Sequence, residues 1–108
     1  MSIEHSDKID LIGTTEEEKV ILTISDHLEW DNSGVHTQLL EDKIEAYLHF
    51  IESGQIYEDY PNSENSDLTI FVALKYKPDE FGLDFLNRCR EIILSFGIGF
   101  NWEVLKSN

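Results

Sequence analysis

The sequence predicts an α+β fold, a two-layer sandwich in which two helices cover one face of a four-stranded sheet of mixed strand direction. Three observations predict it. Four segments carry the apolar patterns of strands, two carry apolar residues at helical spacing, and their order along the chain is β-β-α-β-α-β. Two right-handed β-α-β crossovers would place both helices on the same face. Ferredoxin-like packing is the nearest common relative, while the strand order stays open.

The chain has the size and composition of a single domain, residues 1–108. Of its 108 residues, 41% are hydrophobic and 11% are aromatic, which suits a folded globule with one core. No internal repeat, low-complexity tract or long linker divides the sequence. We therefore expect one core to which every element contributes.

The first two strands form a predicted hairpin. Residues 13–18 supply a polar turn between "KIDLI" and "VILTIS". In the second strand Val20, Leu22 and Ile24 share one face by strand alternation, and the odd-numbered residues share the other. We expect the even-numbered face to meet the helices.

An amphipathic helix is predicted from about Val35 to Ser53, where apolar residues recur at helical spacing. Asn32 or Ser33 is the expected N-cap, and Gly54 is the expected left-handed residue after the helix. The apolar stripe consists of Leu40, Ile44, Tyr47, Leu48 and Ile51.

The second half of the chain is predicted to form a loop, a strand, a helix and a strand. The polar "QIYEDYPNSENSD" is rich in turn-forming residues and predicts a loop, whereas "LTIFVALKY" is apolar on both faces, as an interior strand is. A helix should open at Pro78 and end at Gly97, followed by a half-buried strand in "IGFNWEVL". The expected buried stripe of this helix is Phe85, Leu86, Cys89, Ile92, Ile93 and Phe96.

The net charge of the chain limits the classes of partner that it is expected to bind. The 22 acidic residues against 8 basic ones give a formal charge of −14, which repels nucleic acid and anionic lipid. The same charge would attract a basic protein, or would serve to keep a small domain soluble. We therefore expect no nucleic-acid partner.

Cysteine usage and hydropathy indicate the cell compartment. Cys89 is the only cysteine, so neither an internal disulfide nor a thiolate metal cage can form within one chain, and a reducing cytoplasm fits. Neither an export signal nor an apolar stretch of about 18 residues is visible, so no membrane association is expected.

The strand-to-helix junction around residues 25–36 is the one stretch that gathers polar chemistry. Asp26, His27, Glu29 and His36 could supply a base and an orienting carboxylate beside Trp30. However, Asp26 and His27 are adjacent on an extended segment, so their side chains start towards opposite faces.

We interpret this stretch as a structural junction. Aligning Gly34 with the bend glycine of a calcium loop puts Leu40 where a closing glutamate is required, so that match fails. His27 and His36 also lack the spacing of a helical zinc motif. The sequence predicts no cofactor, no metal ion and no catalytic residue.

Several segments together resemble a family of small acidic bacterial proteins known only as a domain of unknown function. They are "KIDLI", "VILTISDHLEW", "KIEAYLHFIESGQIYEDYP" and "LKYKPDE", and the specific parts are "SDHLEW" and "FIESG…YEDYP". The resemblance runs over nearly the whole chain. It implies a bacterial, cytoplasmic origin and carries over no catalytic residue.

Two function hypotheses follow. The first is a non-enzymatic protein-interaction module that homodimerises or binds a basic partner, with an immunity-type inhibitor of a basic toxin as a special case. Its expected surface is the sheet face away from the helices, formed by Ile21, Thr23, Phe71 and Ala73. The alternative is a small-molecule-binding or hydrolytic domain with its pocket at the junction.

Overall fold

The structure is a computed structural model that describes residues 11–14, 19–30, 34–59 and 67–105. Its strands and helices alternate after an opening pair of strands. In chain order they are β1 (Leu11–Thr14), β2 (Lys19–Asp26), α1 (Val35–Glu52), α2 (Gln55–Asp59), β3 (Asp67–Leu74), α3 (Glu80–Ser95) and β4 (Gly99–Val104).

The sheet is built on three parallel strands, β2, β3 and β4, which are neighbours in chain order. The short β1 adds to the outer edge of β2 and runs antiparallel to it. β3 lies between two hydrogen-bonded neighbours, which agrees with its apolar residues on both faces. Because consecutive parallel strands need crossovers, α1 and α3 both run back across the sheet.

The predicted element order and packing are wrong in two respects. A third helix, α2, occupies Gln55–Asp59, where the sequence predicted a loop. The chain turns at Gly54, whose φ is 84°, and the fully buried Ile56 then holds one helical turn against the core. The ferredoxin-like analogy also fails, because that fold splits the strands of each crossover, whereas β2 and β3, and likewise β3 and β4, pair directly.

Helix α1 has the predicted extent and a different N-terminus. Its N-cap residue is Gly34, with a φ of 84° and no capping side chain, and not Asn32 or Ser33, which lie outside the described residues. The left-handed Gly54 follows the helix as predicted. The buried stripe of α1 consists of His36, Leu40, Lys43, Ile44, Tyr47, Phe50 and Ile51.

Helix α3 begins at Glu80, two residues after the predicted start at Pro78, and it is less buried than predicted. The Asp79 carboxylate accepts a hydrogen bond from the Gly82 N–H at 2.7 Å and so caps the first turn. Leu86 and Ile93 are buried, whereas Ile92 and Phe96 are 58% and 52% exposed. The predicted stripe is therefore wrong on one side, because the core covers only part of the helix.

The core lies between the even-numbered face of the sheet and the three helices. Tyr47 is fully buried and its hydroxyl donates to the Thr23 carbonyl at 2.8 Å, which ties α1 to β2. Leu48 and Cys89, which the sequence placed on the buried helix stripes, pack half-buried against it, and so does Trp102 of β4. The buried apolar residues of the sheet are Val20, Leu22, Ile24, Ile70, Val72, Leu74 and Phe100.

Candidate functional site

The strand-to-helix junction is organised by a buried pair of side chains. Asp26 is the last residue of β2 and points to the helix face, and His36 lies in the first turn of α1. Nε2 of His36 lies 2.5 Å from Oδ2 of Asp26, and both side chains are at most 3% exposed. Oδ1 of Asp26 accepts from the Leu28 N–H at 3.1 Å. Both oxygens of the carboxylate are thus engaged.

The second ring nitrogen of His36 is engaged as well. Nδ1 lies 3.0 Å from the Glu29 carbonyl oxygen, which can only accept, so Nδ1 carries a proton and donates it. Nε2 contacts the Asp26 carboxylate, so both ring nitrogens have a partner within the protein. Neither nitrogen is left to take a proton from a substrate, as a general base must.

Trp30 extends the junction to α3. Its ring stacks on His36 with centroids 3.9 Å apart, and its indole N–H donates to the Tyr76 carbonyl at 3.2 Å. The same ring lies against Gly82, where an added Cβ would lie 2.6 Å from a ring carbon. Glycine at this position lets α3 approach the indole ring, so the junction joins β2, α1 and α3.

The structure assembles part of the predicted junction site. It brings together the side chains of Asp26, Trp30 and His36, whereas His27 and Glu29 are exposed, and Glu29 contributes its backbone carbonyl. Within the described ranges no three His, Cys, Asp or Glu side chains are grouped so that they could hold a metal ion. The contacts among the junction side chains therefore hold the neighbouring backbone segments in position.

The pairing of Asp26 with His36 was missed, although the sequence contains a signal for it. Asp26 shares strand parity with the apolar Leu22 and Ile24, so it points into the core. His36 precedes Leu40 by four residues and so continues the buried stripe of α1. Two buried polar groups near one another in the fold need each other as partners.

The predicted sheet surface lies on the face away from the helices. Thr23 pairs with Phe71 in the parallel register, and Ile21 and Ala73 lie at neighbouring odd-numbered positions. All four residues are half-buried. This face is therefore apolar near its centre but does not present a large side chain fully to solvent. Its role in binding stays a prediction.

Among the described residues, several exposed apolar side chains border a groove between α1 and α3. The groove has a volume of about 560 Å³ and is open along one side. Phe81, Ile92 and Phe96 of α3 are 54%, 58% and 52% exposed at its margin. Its apolar lining is Ile44, Leu48, Phe81, Phe85, Cys89, Ile92, Ile93 and Phe96. We call this surface the α1–α3 groove.

The rim of the groove is mainly acidic. Glu41 and Glu45 of α1 line it and are exposed. Arg88 lines it from α3, but its guanidinium forms an ion pair of 3.1 Å with the Asp84 carboxylate. Burial raises the pKa of the Cys89 thiol from 9.0 to about 11; the charge of Glu41 adds to this shift and the charge of Arg88 opposes it. Charges of both signs on the rim therefore act on the lining of the groove.

Sequence reasoning missed the groove because it assigned every apolar residue of α3 to the core. Phe85, Cys89, Ile92 and Phe96 follow one another at intervals of three or four residues, which marks one face of a helix. Leu86 and Ile93 lie seven residues apart on an adjacent face. A helix with two adjacent apolar faces can bury only one against a sheet, and this excess was the available signal.

Comparison with known proteins adds a family and nothing further. Within the described residues no helix is long and apolar enough to cross a membrane. No curated protein and no solved structure matches the chain. The sequence profile of a family of unknown function, DUF6572, matches residues 1–106. Since this match covers nearly all of the 108 residues, the chain belongs to the family of unknown function DUF6572.

Proposed function

We propose that this protein is a non-enzymatic protein-interaction module and that the α1–α3 groove is its contact surface. The observation that carries the proposal is the row of large apolar side chains along the groove, of which Phe81, Ile92 and Phe96 are more than half exposed. Apolar side chains that remain exposed add no burial to the stability of a folded monomer. Contiguous exposed apolar surface is characteristic of sites that another molecule covers.

The polar groups near the groove and at the junction support a non-enzymatic role. Both ring nitrogens of His36 are engaged within the molecule, so this imidazole is not available as a base. The raised pKa of Cys89, about 11, keeps this groove-lining thiol protonated at neutral pH, whereas a catalytic cysteine needs a lowered pKa. These two observations therefore support a role in binding.

A protein partner suits the shape of the groove better than a small ligand does. Sites for small molecules enclose about 70–90% of the ligand surface. The α1–α3 groove is open along one side and runs between two helices, so it would leave a small ligand largely in water. We also propose a cytoplasmic location, which the single cysteine supports, and a bacterial origin, which the resemblance noted in the sequence implies.

The test is affinity capture with a matched pair of variants. Ile92→Gln removes an apolar side chain from the groove, and Leu94→Gln removes one of similar exposure, 54%, from α3 outside the groove. We expect a protein from a bacterial lysate to be retained by the wild type and by Leu94→Gln and lost on Ile92→Gln. Identical sets of captured proteins for all three baits would refute the proposal.

A further inference from the structure

We infer that the α1–α3 groove binds a basic amphipathic helix of a partner protein. This inference rests on the proposed function and names the chemistry of the partner. Three features of the groove carry it: the shape of the space between the two helices, the spacing of the apolar side chains, and the sign of the charge on the rim.

The shape of the groove fits a helix. On α1 the lining runs from Thr37 to Leu48, which is about 16 Å at 1.5 Å per residue. On the other side it runs from Phe81 along α3 to the C-cap residue Phe96, or about 22 Å by the same rise. The two helices run in the same direction across one face of the sheet, so the space between them is a trough. Its length accommodates about three to four turns of a third helix.

The apolar side chains of α3 are spaced for such a ligand. Phe81, Phe85, Ile92 and Phe96 follow one another at intervals of four, seven and four residues and therefore form one line along the helix. Ile44 and Leu48 form the opposite wall from α1. An amphipathic helix that lies in a groove inserts anchors at the same helical spacing between such walls.

The charge on the rim selects a basic helix. Glu41 and Glu45 lie one turn apart on α1, where like charges repel each other. Among the described residues, Arg88 is the one basic residue that lines the groove, and its ion pair with Asp84 leaves the two carboxylates of α1 in excess along the rim. A helix with lysine or arginine beside its apolar face would relieve the repulsion and gain from the negative charge of the whole chain.

The same charge argues against a second copy of this chain as the occupant. Each chain carries a formal charge of −14, so two copies repel each other at long range. A symmetric dimer through the groove would also bring Glu41 and Glu45 of each copy close to those of the other. Like charges facing each other across an interface are a device that excludes partners.

The inference is tested with synthetic helices and the whole protein. The probe is a peptide of about 18 residues, which is about five turns of helix, with leucine on one helical face and lysine on the other. A second peptide keeps the leucines and carries glutamate in place of lysine. Binding is followed by two-dimensional amide NMR of the labelled protein, which locates the contact, and self-association is measured by sedimentation equilibrium.

Two matched pairs of variants separate specific binding from general attraction. Ile92→Gln is compared with Leu94→Gln for the apolar contact. Glu45→Gln is compared with Glu103→Gln for the charge, because Glu103 is exposed on the opposite face of the sheet and both changes remove one negative charge. Thermal melts of all four variants check that the fold is intact.

We expect the lysine peptide to shift amide signals of α1 and α3 and to weaken on Ile92→Gln by at least about tenfold, as a buried contact residue does. Leu94→Gln and Glu103→Gln should change its affinity by less than about twofold, and Glu45→Gln by more than that. The glutamate peptide should bind at least about tenfold more weakly. Binding of the lysine peptide should also fall as the salt concentration rises.

The opposite results overturn the inference in distinguishable ways. Equal binding of both peptides, or a wild-type dimer that Ile92→Gln dissociates, refutes the basic helix and leaves the proposed contact surface standing. Binding that ignores Ile92→Gln, or no binding at all, also refutes the basic helix. If captured proteins are insensitive to Ile92→Gln as well, the proposed function fails with it.

Discussion

The junction and the α1–α3 groove are opposites in the way they use side chains. At the junction Asp26 and His36 are polar and buried, and each of their side-chain nitrogen and oxygen atoms has a hydrogen-bonding partner within the protein. In the groove Phe81, Ile92 and Phe96 are apolar and more than half exposed. The junction thus buries polar side chains where apolar ones are expected, and the groove exposes apolar side chains where polar ones are expected.

This difference indicates which of the two regions is suited to binding a partner. A buried polar group that is fully hydrogen-bonded stabilises one arrangement of the backbone and has little left to offer a ligand. Exposed apolar surface gains about 25 cal/mol for each Å² that a partner covers. We therefore interpret the polar stretch as structural and propose the groove, which sequence reasoning missed, as the surface for binding.

The largest expected effect comes from breaking the junction. His36→Ala leaves the Asp26 carboxylate buried without the imidazole, so it should lower the free energy of unfolding by about 3–5 kcal/mol. The control is His49→Ala, which changes an exposed histidine of the same helix and should shift stability by less than about 0.5 kcal/mol. Urea unfolding followed by circular dichroism measures both. Equal midpoints would contradict a structural role of the pair.

Two adjacent isoleucines sharpen the contrast between the core and the groove. Ile93 is 1% exposed, so Ile93→Ala should destabilise the protein by about 2–5 kcal/mol through the cavity it leaves. Ile92 is 58% exposed, so Ile92→Gln should change stability by less than about 0.5 kcal/mol. Urea midpoints of the two variants test the assignment. A loss on Ile92→Gln comparable to that on Ile93→Ala would place both residues in the core.

The contact between Trp30 and α3 gives a smaller effect of unusual sign. In most helices Gly→Ala stabilises, but a Cβ at position 82 would overlap the indole ring that stacks on His36. We expect Gly82→Ala to destabilise by about 1–3 kcal/mol, the usual cost of overpacking. Asn87→Ala, at an exposed position of the same helix, should stabilise slightly through helix propensity. Thermal melts that rise for both variants would show that the ring moves aside easily.

The smallest expected effect concerns the pH dependence of Cys89. Its pKa is raised to about 11 in the folded protein, from 9.0, mainly by burial. Between these values the unfolded chain loses the thiol proton first, so this contribution to stability is complete below about pH 9 and declines as the pH rises towards 11.

Alkylation by iodoacetamide measures this titration. The rate constant of the native protein should still be rising above pH 9, whereas that of the urea-unfolded chain should level off near pH 9. A native profile that levels off at or below pH 9 would show that the thiol is not shielded in the groove wall.

The sequence predicted the elements that depend on local patterns. The alternation of Leu22 and Ile24 identified the inner face of β2, and Gly54 and Gly97 lie just past the ends of α1 and α3 with φ angles of 84° and 79°. These features follow from backbone sterics and side-chain periodicity, which act over a few residues.

The remaining features depend on how the elements pack. The single turn of α2 exists because Ile56 reaches the core, which its polar surroundings did not reveal. The exposure of Ile92 and Phe96 depends on how far α3 lies from α1, and no local pattern records that distance. The pairing of Asp26 with His36 links residues ten positions apart, and it required the two periodicities to be combined.

The most direct test of the central claim compares three variants in one binding assay with the captured partner. Ile92→Gln alters the groove, Phe71→Asp alters the open sheet face, and His27→Ala alters the exposed part of the junction. The account predicts that Ile92→Gln alone weakens the partner by at least about tenfold, with the other two within about twofold of the wild type. An affinity that survives Ile92→Gln and is lost on Phe71→Asp or His27→Ala, with the fold intact, would contradict it.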